Sequence, residues 1–368
     1  MTAATGTTAA TGATGTDPDA QIARWLDTDL DEWTRTVVRR HFDPVSGSPY
    51  WLAQAPRLDF DPRDITRYDE LVAFGPFPLD RLRTEDPADL VPLSVPRPLV
   101  GRVWDSGGTT GTPCRAFYTP DMLRHRALWR RWSFVREGFA PGRTWLQATP
   151  TGPHLIGNGV HEVSELHAGQ VYAVDMDPRW VKRLIRSGRL AEVGDYTTHL
   201  LEQIADVLEP GRVHYVNTTP ALFQALRQRR PDLVAALDGV RLSGTQISAD
   251  MYRTFTAALQ GGICGLTYGN TFGNAACLDI ERDGELISYV PNYPQVTMAV
   301  VDKGDFSTQV APGTVGQVRL TVLHEDLFLP NVLERDQALR HPTDHWPTDG
   351  VANVRPLQIA SSSPEGLY

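Results

Sequence analysis

Between residues 144 and 268 short β-prone runs alternate with helical segments, and no other feature limits the possible fold as much. The runs are Thr144–Ala148, Val171–Val174, Val213–Val216, Val240–Leu242 and Ile263–Leu266. Between them, Trp180–Arg186, Tyr196–Leu208, Pro220–Arg229, Leu233–Leu237 and Ala249–Leu259 carry apolar residues at helical spacing, with Pro220 suited to a first helical position and Ser248 to a cap. Parallel strands need long crossovers and helices supply them, so this stretch implies an α/β fold with a parallel or mixed sheet and helices on both faces. The texture changes after Ala275. Leu278–Ile280, Leu286–Val290, Val296–Val301 and Val315–Val322 are short strands parted by Asp283-Gly284 and Pro312-Gly313, the pattern of a small antiparallel barrel or sheet. Glu334 to Pro347 reads as a polar, irregular insertion, and Asp17 to His41 as one helix-like stretch.

The segment Trp104-Asp105-Ser106-Gly107-Gly108-Thr109-Thr110-Gly111-Thr112-Pro113 follows a β-prone approach and precedes a helical stretch from Asp121 to Arg136. Glycine lets the backbone approach a ligand, and free amides with several hydroxyls can grip phosphate oxygens, so the loop reads as a polyphosphate cradle between strand and helix. It is not a Walker loop, because no Gly-Lys-Ser/Thr follows. A second strand-end loop, Thr149 to His154, makes His154 a candidate for lining a ligand pocket.

A net charge of −9 without a basic block excludes nucleic acid as a natural partner. No apolar run approaches the ~20 residues that span a membrane. Residues 1–16, mostly Ala, Thr and Gly, lack the basic start and apolar core of a signal peptide and read as a disordered tail, which makes the cytoplasm the expected location. Cys114, Cys264 and Cys277 form neither a disulfide framework nor a zinc spacing, so no metal ligand set is assigned. Only Lys182 and Lys303 are lysines, and they read as lying in a helix away from every motif and in a turn of the β-region.

Three blocks in order resemble the adenylate-forming superfamily, and within it the phenylacetate–CoA ligase-like branch. The family's Ser-Ser-Gly-Thr-Thr-Gly-Lys-Pro loop is matched by Ser106 to Pro113, and its Tyr-Gly-x-Thr-Glu by Tyr268-Gly269-Asn270-Thr271-Phe272. Leu242-Ser243-Gly244-Thr245-Gln246 stands where the family has its adenine loop, and Trp346 to Val351 is similar to a Tyr-x-Thr-Gly-Asp block. Together with the Pro-punctuated stretch Asp61-Pro62 to Leu71, the likeness covers residues 40 to 350. It implies the N-terminal body of that fold: a disordered tail at 1–16, an α/β nucleotide- and substrate-binding body at 17–275, a β-subdomain with the ribose block at 276–355 and a flexible tail at 356–368.

By the same resemblance Ser106, Gly107, Gly108, Thr109, Thr110, Gly111 and Thr112 would hold the phosphates of ATP. Gly244, Thr245 and Gln246 would flank adenine, with Tyr268 stacking on it and Gly269 and Asn270 also binding the nucleotide. Thr271 would touch the α-phosphate, Asp349 the ribose, and His154 the acyl pocket. Three departures stand out. The loop lysine is Thr112, the residue after the proline is Cys114, and the glutamate that helps hold Mg²⁺ is Phe272. Only 19 residues follow Asp349, so the C-terminal lid domain of roughly 100 residues, with its catalytic lysine, is expected to be absent. The leading expectation is ATP-dependent activation of a small, aromatic carboxylic acid as an acyl-adenylate. The acyl group would pass to an amine, thiol or carrier protein, with a partner protein supplying the lid. The alternatives are a non-catalytic nucleotide- or acyl-binding partner of an active ligase, and a nitrite-activating member of the superfamily.

Overall fold

The computed structural model describes residues 17–107 and 111–357. Gly108, Thr109 and Thr110 of the loop, the tail expected at 1–16 and residues 358–368 lie outside the described residues. The strands are β1 Arg102–Asp105, β2 Arg115–Tyr118, β3 Trp145–Ala148, β4 Val171–Ala173, β5 Tyr215–Thr218, β6 Gly239–Leu242, β7 Ile263–Gly269, β8 Asn274–Glu281, β9 Leu286–Pro291, β10 Val296–Val301, β11 Val315–His324, β12 Leu327–His341 and β13 Gly350–Pro356. β1 and β2 form a small antiparallel sheet, and the other eleven form one mixed sheet in the order β10-β11-β12-β13-β9-β8-β7-β6-β5-β3-β4.

The half from β7 to β4 is parallel, as the alternation implies. β3, β5 and β6 are buried at every position, so helices cover both faces there. Three of the helices start on a residue fitted to the task. The Thr119, Thr219 and Ser248 hydroxyls accept from the amides of Met122, Leu222 and Met251 at 3.3, 3.3 and 3.2 Å, opening helices Pro120–Glu137, Pro220–Arg229 and Ala249–Ala258.

At Tyr268↔Ala275 the sheet turns antiparallel, so the strands after residue 275 are bonded to the body through one continuous ladder. This half curls. Tyr268 on β7 bonds Asp336 on β12 at 2.9 Å although β8, β9 and β13 lie between them. Four flat strand spacings would be about 19 Å, far beyond the length of a tyrosine side chain.

Three expectations give way. Asp17 to His41 forms two helices, Pro18–Leu26 and Leu30–His41, because the Asp29 carboxylate accepts the Glu32 amide at 2.8 Å and starts a new helix. The expected insertion after Glu334 is the second half of β12. Its polar residues are absorbed across the sheet, with the Gln317 side chain donating to the Glu334 carbonyl (2.8 Å) and that of Gln337 to the Pro356 carbonyl (3.2 Å). The Gly/Thr loop joins two strands, β1 and β2, and the helix starts only after β2. Helix N-terminal amides therefore do not line it.

Candidate nucleotide site

The β1–β2 hairpin is laid across the carboxyl ends of the parallel strands. At one end the Asp105 amide donates to the Pro153 carbonyl at 2.9 Å, just past β3. At the other the Tyr118 hydroxyl bonds the Thr271 carbonyl (2.7 Å) and the Phe272 carbonyl (3.2 Å), just past β7. Ligands of open α/β sheets bind at this edge. The loop's stem is fastened by the Ser106 amide on the Cys114 carbonyl (2.8 Å) and the Cys114 amide on the Ser106 hydroxyl (2.9 Å). Cys114 is buried, with its thiol on the Leu79 carbonyl at 3.5 Å, and burial pushes its pKa up, which suits packing rather than nucleophilic attack.

Cations surround this loop. The Lys182 ammonium donates to the Gly107 carbonyl at 2.9 Å, and Arg83 donates to the Thr112 carbonyl. Asp105 at the stem takes Arg115 at 3.3 Å and Arg179. Burial, together with Arg186, Arg335 and Arg179, brings the Lys182 pKa down to about 8. The expected placement of Lys182 away from every motif is therefore wrong. The Asp177 carboxylate caps helix Pro178–Arg186 through the Arg179 amide (2.8 Å), and Arg179 ties that helix to Asp105. Residues three apart share a helical face, so Lys182 follows Arg179 onto the loop. Lys303 donates to the Gln337 side chain at 2.8 Å.

Facing the hairpin is the turn after β7. The Asn270 carboxamide oxygen accepts the Phe272 and Gly273 amides at 2.7 and 3.0 Å, and its NH₂ donates to Glu334 at 2.6 Å. Gly269 is held at φ +155, where a Cβ would lie 2.6 Å from the Asn274 side chain and the Gly273 carbonyl. The Thr271 carbonyl is Tyr118's partner, and the Phe272 ring is buried in the core, so that position offers no oxygen. The Tyr268 hydroxyl donates to Asp336 at 2.9 Å, and its ring lies 5.9 Å from that of Tyr289. Burial, and then the Asp336 charge, raise the Glu334 pKa to about 8. Gly244 (φ +97), Thr245 and Gln246 follow β6, which pairs with β7 up to Leu242↔Leu266, so this loop leaves the sheet at the same edge as the end of β7.

One expected residue, Asp349, stands away from Tyr268. Asp349 bonds Arg340 at 2.6 Å, where the β12–β13 ladder pairs His341 with Gly350. Asp336 pairs at the opposite end, with Pro356, about 16 Å of strand away. The carboxylate at Tyr268 is thus Asp336. His154 is buried, its Nδ1 has no hydrogen-bond partner, and burial with the charges of Arg179 and Lys182 lowers its pKa. Sequence reading missed Glu334 and Asp336. Their signal was two carboxylates at i and i+2, one face of a strand, hidden in a run read as irregular.

Asp121, His125 and His324 also lie together. The Asp326 amide donates to His324 Nδ1 (3.0 Å), so His324 Nε2 carries the proton and donates to His125 Nδ1 (2.9 Å), leaving His125 Nε2–H toward Asp121 (3.5 Å). Each imidazole nitrogen is thereby used, and the trio is a hydrogen-bonded relay rather than a chelate.

No protein-family model matches the chain, and no curated protein matches it. Among solved structures, the fold is that of the N-terminal body of the adenylate-forming ligases. 2-Hydroxyisobutyryl-CoA ligase in an open conformation, with 2-HIB-AMP and CoA, superposes with a TM-score of 0.65 at 13% identity over 88% of this chain and 72% of that one. The same ligase in its thioesterification state gives 0.65 at 13% identity, over 89% and 67%. In a postadenylation state it gives 0.62 at 12%, over 88% and 65%. Among the described residues no helix is long and apolar enough to cross a membrane.

Proposed function

We propose that this chain is an ATP-dependent adenylate-forming enzyme. One observation carries the reading: cations hold both ends of a Gly/Thr loop on a hairpin laid over the strand ends, and a tyrosine–carboxylate pair joins β7 to β12. The carboxylate oxygen of a small acid attacks the α-phosphorus of ATP, an acid–phosphate bond forms, the bond to the β-phosphate oxygen breaks, and pyrophosphate leaves. Two anions must meet, so the site has to neutralise charge and hold the reactants in line. Loop residues Ser106 to Thr112 would bind the polyphosphate, Gly244 to Gln246 and Tyr268 the adenine, Thr271 the α-phosphate and His154 the acid. Asp336 replaces Asp349 as the ribose ligand in this proposal, since a carboxylate accepts strong charge-assisted bonds from a diol.

A Mg²⁺ ion fits the oxygen donors of Glu334, beside Asn270, and does not fit Phe272. When bound it would neutralise phosphate charge. An aromatic acid is the substrate class implied by the resemblance, and a 2-hydroxy acid is the class of the structural neighbour. The acceptor would be an amine, a thiol such as CoA or a carrier protein, with a partner protein closing the site.

The test is acid-dependent pyrophosphate release from ATP, with mass detection of acyl-AMP, over aryl, 2-hydroxy and short aliphatic acids and nitrite. One acid giving both products supports the reading. ATP binding without product from any acid, with candidate acceptors present, would leave the non-catalytic binding role in its place. Turnover with nitrite alone would establish the diazotising one.

A further inference from the structure

We propose that the acid activated here is a short aliphatic dicarboxylic acid, one carboxylate of which reacts while Arg126 holds the other in a small cavity against the turn after β7. This rests on the adenylation reading and names its substrate class.

The cavity lies between helix Pro120–Glu137, the turn after β7 and the start of β10, and measures about 40 Å³. Phe272 and Gly273 line it, next in sequence to Thr271, the residue proposed for the α-phosphate. A water needs at least about 10–15 Å³ and benzene about 150 Å³, so the space takes about three or four non-hydrogen atoms. A carboxymethyl group fits that limit and an aromatic ring does not. The loop that carries His154 is tied to the same place. His154 opens the short helix Leu155–Asn158, and Asn158 donates at 3.4 Å to Glu162, the carboxylate that Arg126 also bonds.

The walls choose the chemistry. Met122, Trp129, Phe272 and Val296 are buried and apolar. His125 and His324 also face the cavity, and burial pushes their pKa values down, that of His324 to about 3, so neither is charged at neutral pH. Arg126, its side chain 11% exposed, is the one charged residue lining the cavity among the described residues. It shares its counter-ion. Arg126 meets one oxygen of Glu162 at 3.3 Å and Arg130 meets the other at 3.5 Å, while the neighbouring buried pair Arg241–Glu137 is balanced at 3.0 Å. Three guanidiniums thus face two carboxylates, which leaves one positive charge in excess. A guanidinium has five N–H donors, and the partners of Arg126 are Glu162, Asn274 and the Tyr118 hydroxyl. Donors remain for an incoming carboxylate, which offsets the buried excess through charge-assisted bonds.

The experiment follows acid-dependent exchange of labelled pyrophosphate into ATP by the full chain, with malonate, succinate, 3-hydroxypropanoate, isovalerate and benzoate. Isovalerate has the outline of malonate with methyls in place of two oxygens. The better dicarboxylate should exceed each of the other three acids about tenfold or more in kcat/KM, the range of a hydrogen bond to a charged group. Arg126→Met should bring it within about threefold of isovalerate, with ATP affinity by calorimetry kept within about twofold. That variant should fold, because Arg130 and Glu162 remain as an equal pair. A smaller wild-type margin over isovalerate or benzoate overturns the inference and leaves adenylation standing. A lead for 3-hydroxypropanoate overturns it too, by making the group on Arg126 a hydroxyl. So does a folded Arg126→Met with the wild-type ranking, or ATP binding with none of these acids used. Should the variant not fold, the wild-type ranking decides alone. A wild type that binds no ATP sinks the adenylation reading itself.

Discussion

Exchanging aspartates one at a time separates the two ends of the β12–β13 ladder. In Asp336→Ala the carboxylate at Tyr268 disappears. One of its oxygens holds the Tyr268 hydroxyl at 2.9 Å, and the proposed ribose diol would add charge-assisted bonds to the same carboxylate. A hydrogen bond to a charged acceptor contributes about 1.5–3 kcal/mol, so AMP should bind about 10–150 times more weakly. Tyr268→Phe removes only the hydroxyl and controls for the loss of that partner; it should cost AMP about threefold or less. In Asp349→Ala the bond to Arg340 goes, between side chains 23% and 30% exposed. Pairs of that exposure contribute about 0–1 kcal/mol to stability, and AMP affinity should stay within twofold. The assay is calorimetric titration of AMP into variants whose thermal transitions match wild type within a few degrees. A loss in Asp349→Ala equal to or above that in Asp336→Ala refutes the assignment, because it would put the ribose at the wrong end of β12.

Gly111→Val should lower the melting temperature by a few degrees and weaken ATP at least tenfold, because φ +130 is closed to valine even though nothing lies within 4 Å of an added Cβ. The buried His41, hydrogen-bonded to Ser48, has its pKa pushed down to about 3 by burial. The unfolded chain binds that proton near pH 6.5, so stability is complete above that pH and falls by about 1.4 kcal/mol per pH unit as pH drops toward 3. His41→Gln should flatten this acid limb in melting curves recorded from pH 4 to 7, and an unchanged slope would count against a neutral buried His41. Arg241 bonds Glu137 at 3.0 and 3.2 Å and Ser133 at 2.7 Å, with both ionic side chains under 10% exposed. Arg241→Met should cost about 3–5 kcal/mol in urea unfolding, and Arg241→Met with Glu137→Leu should recover part of it.

The parallel half of the sheet was legible because its strands are apolar runs and the helices at Pro120, Pro178, Pro220 and Ala249 begin on Pro or follow a capping Ser. β2 was not, since Arg115 to Tyr118 is four residues between Pro113 and Pro120, too short for a period of two to declare itself. β12 was missed because its polar side chains find partners on strands distant in sequence, as Gln337 does at Pro356. The loop's own Gly and Thr residues mark it without any structure. The side chain on its carbonyl is 75 residues downstream, and no local string records that approach. The same limit governs the aspartates: Thr348-Asp349-Gly350 resembles a family block with its last two residues exchanged, but only the ladder register shows which carboxylate reaches Tyr268.

Two lysines in 368 residues also make this protein readable by amine chemistry. Lys182 lies against Gly107 with a pKa near 8, so at mildly alkaline pH much of it is the nucleophilic free amine. Lys303 is exposed and bonded to Gln337, the neighbour of Asp336 on β12 whose side chain leaves the opposite face. Acetylation measured by peptide mass then yields a ratio of one site-facing lysine to one internal standard. Any compound that binds against the Gly/Thr loop and covers Lys182 lowers that ratio whether or not it is turned over, so occupancy can be mapped across candidate ligands before a substrate is in hand.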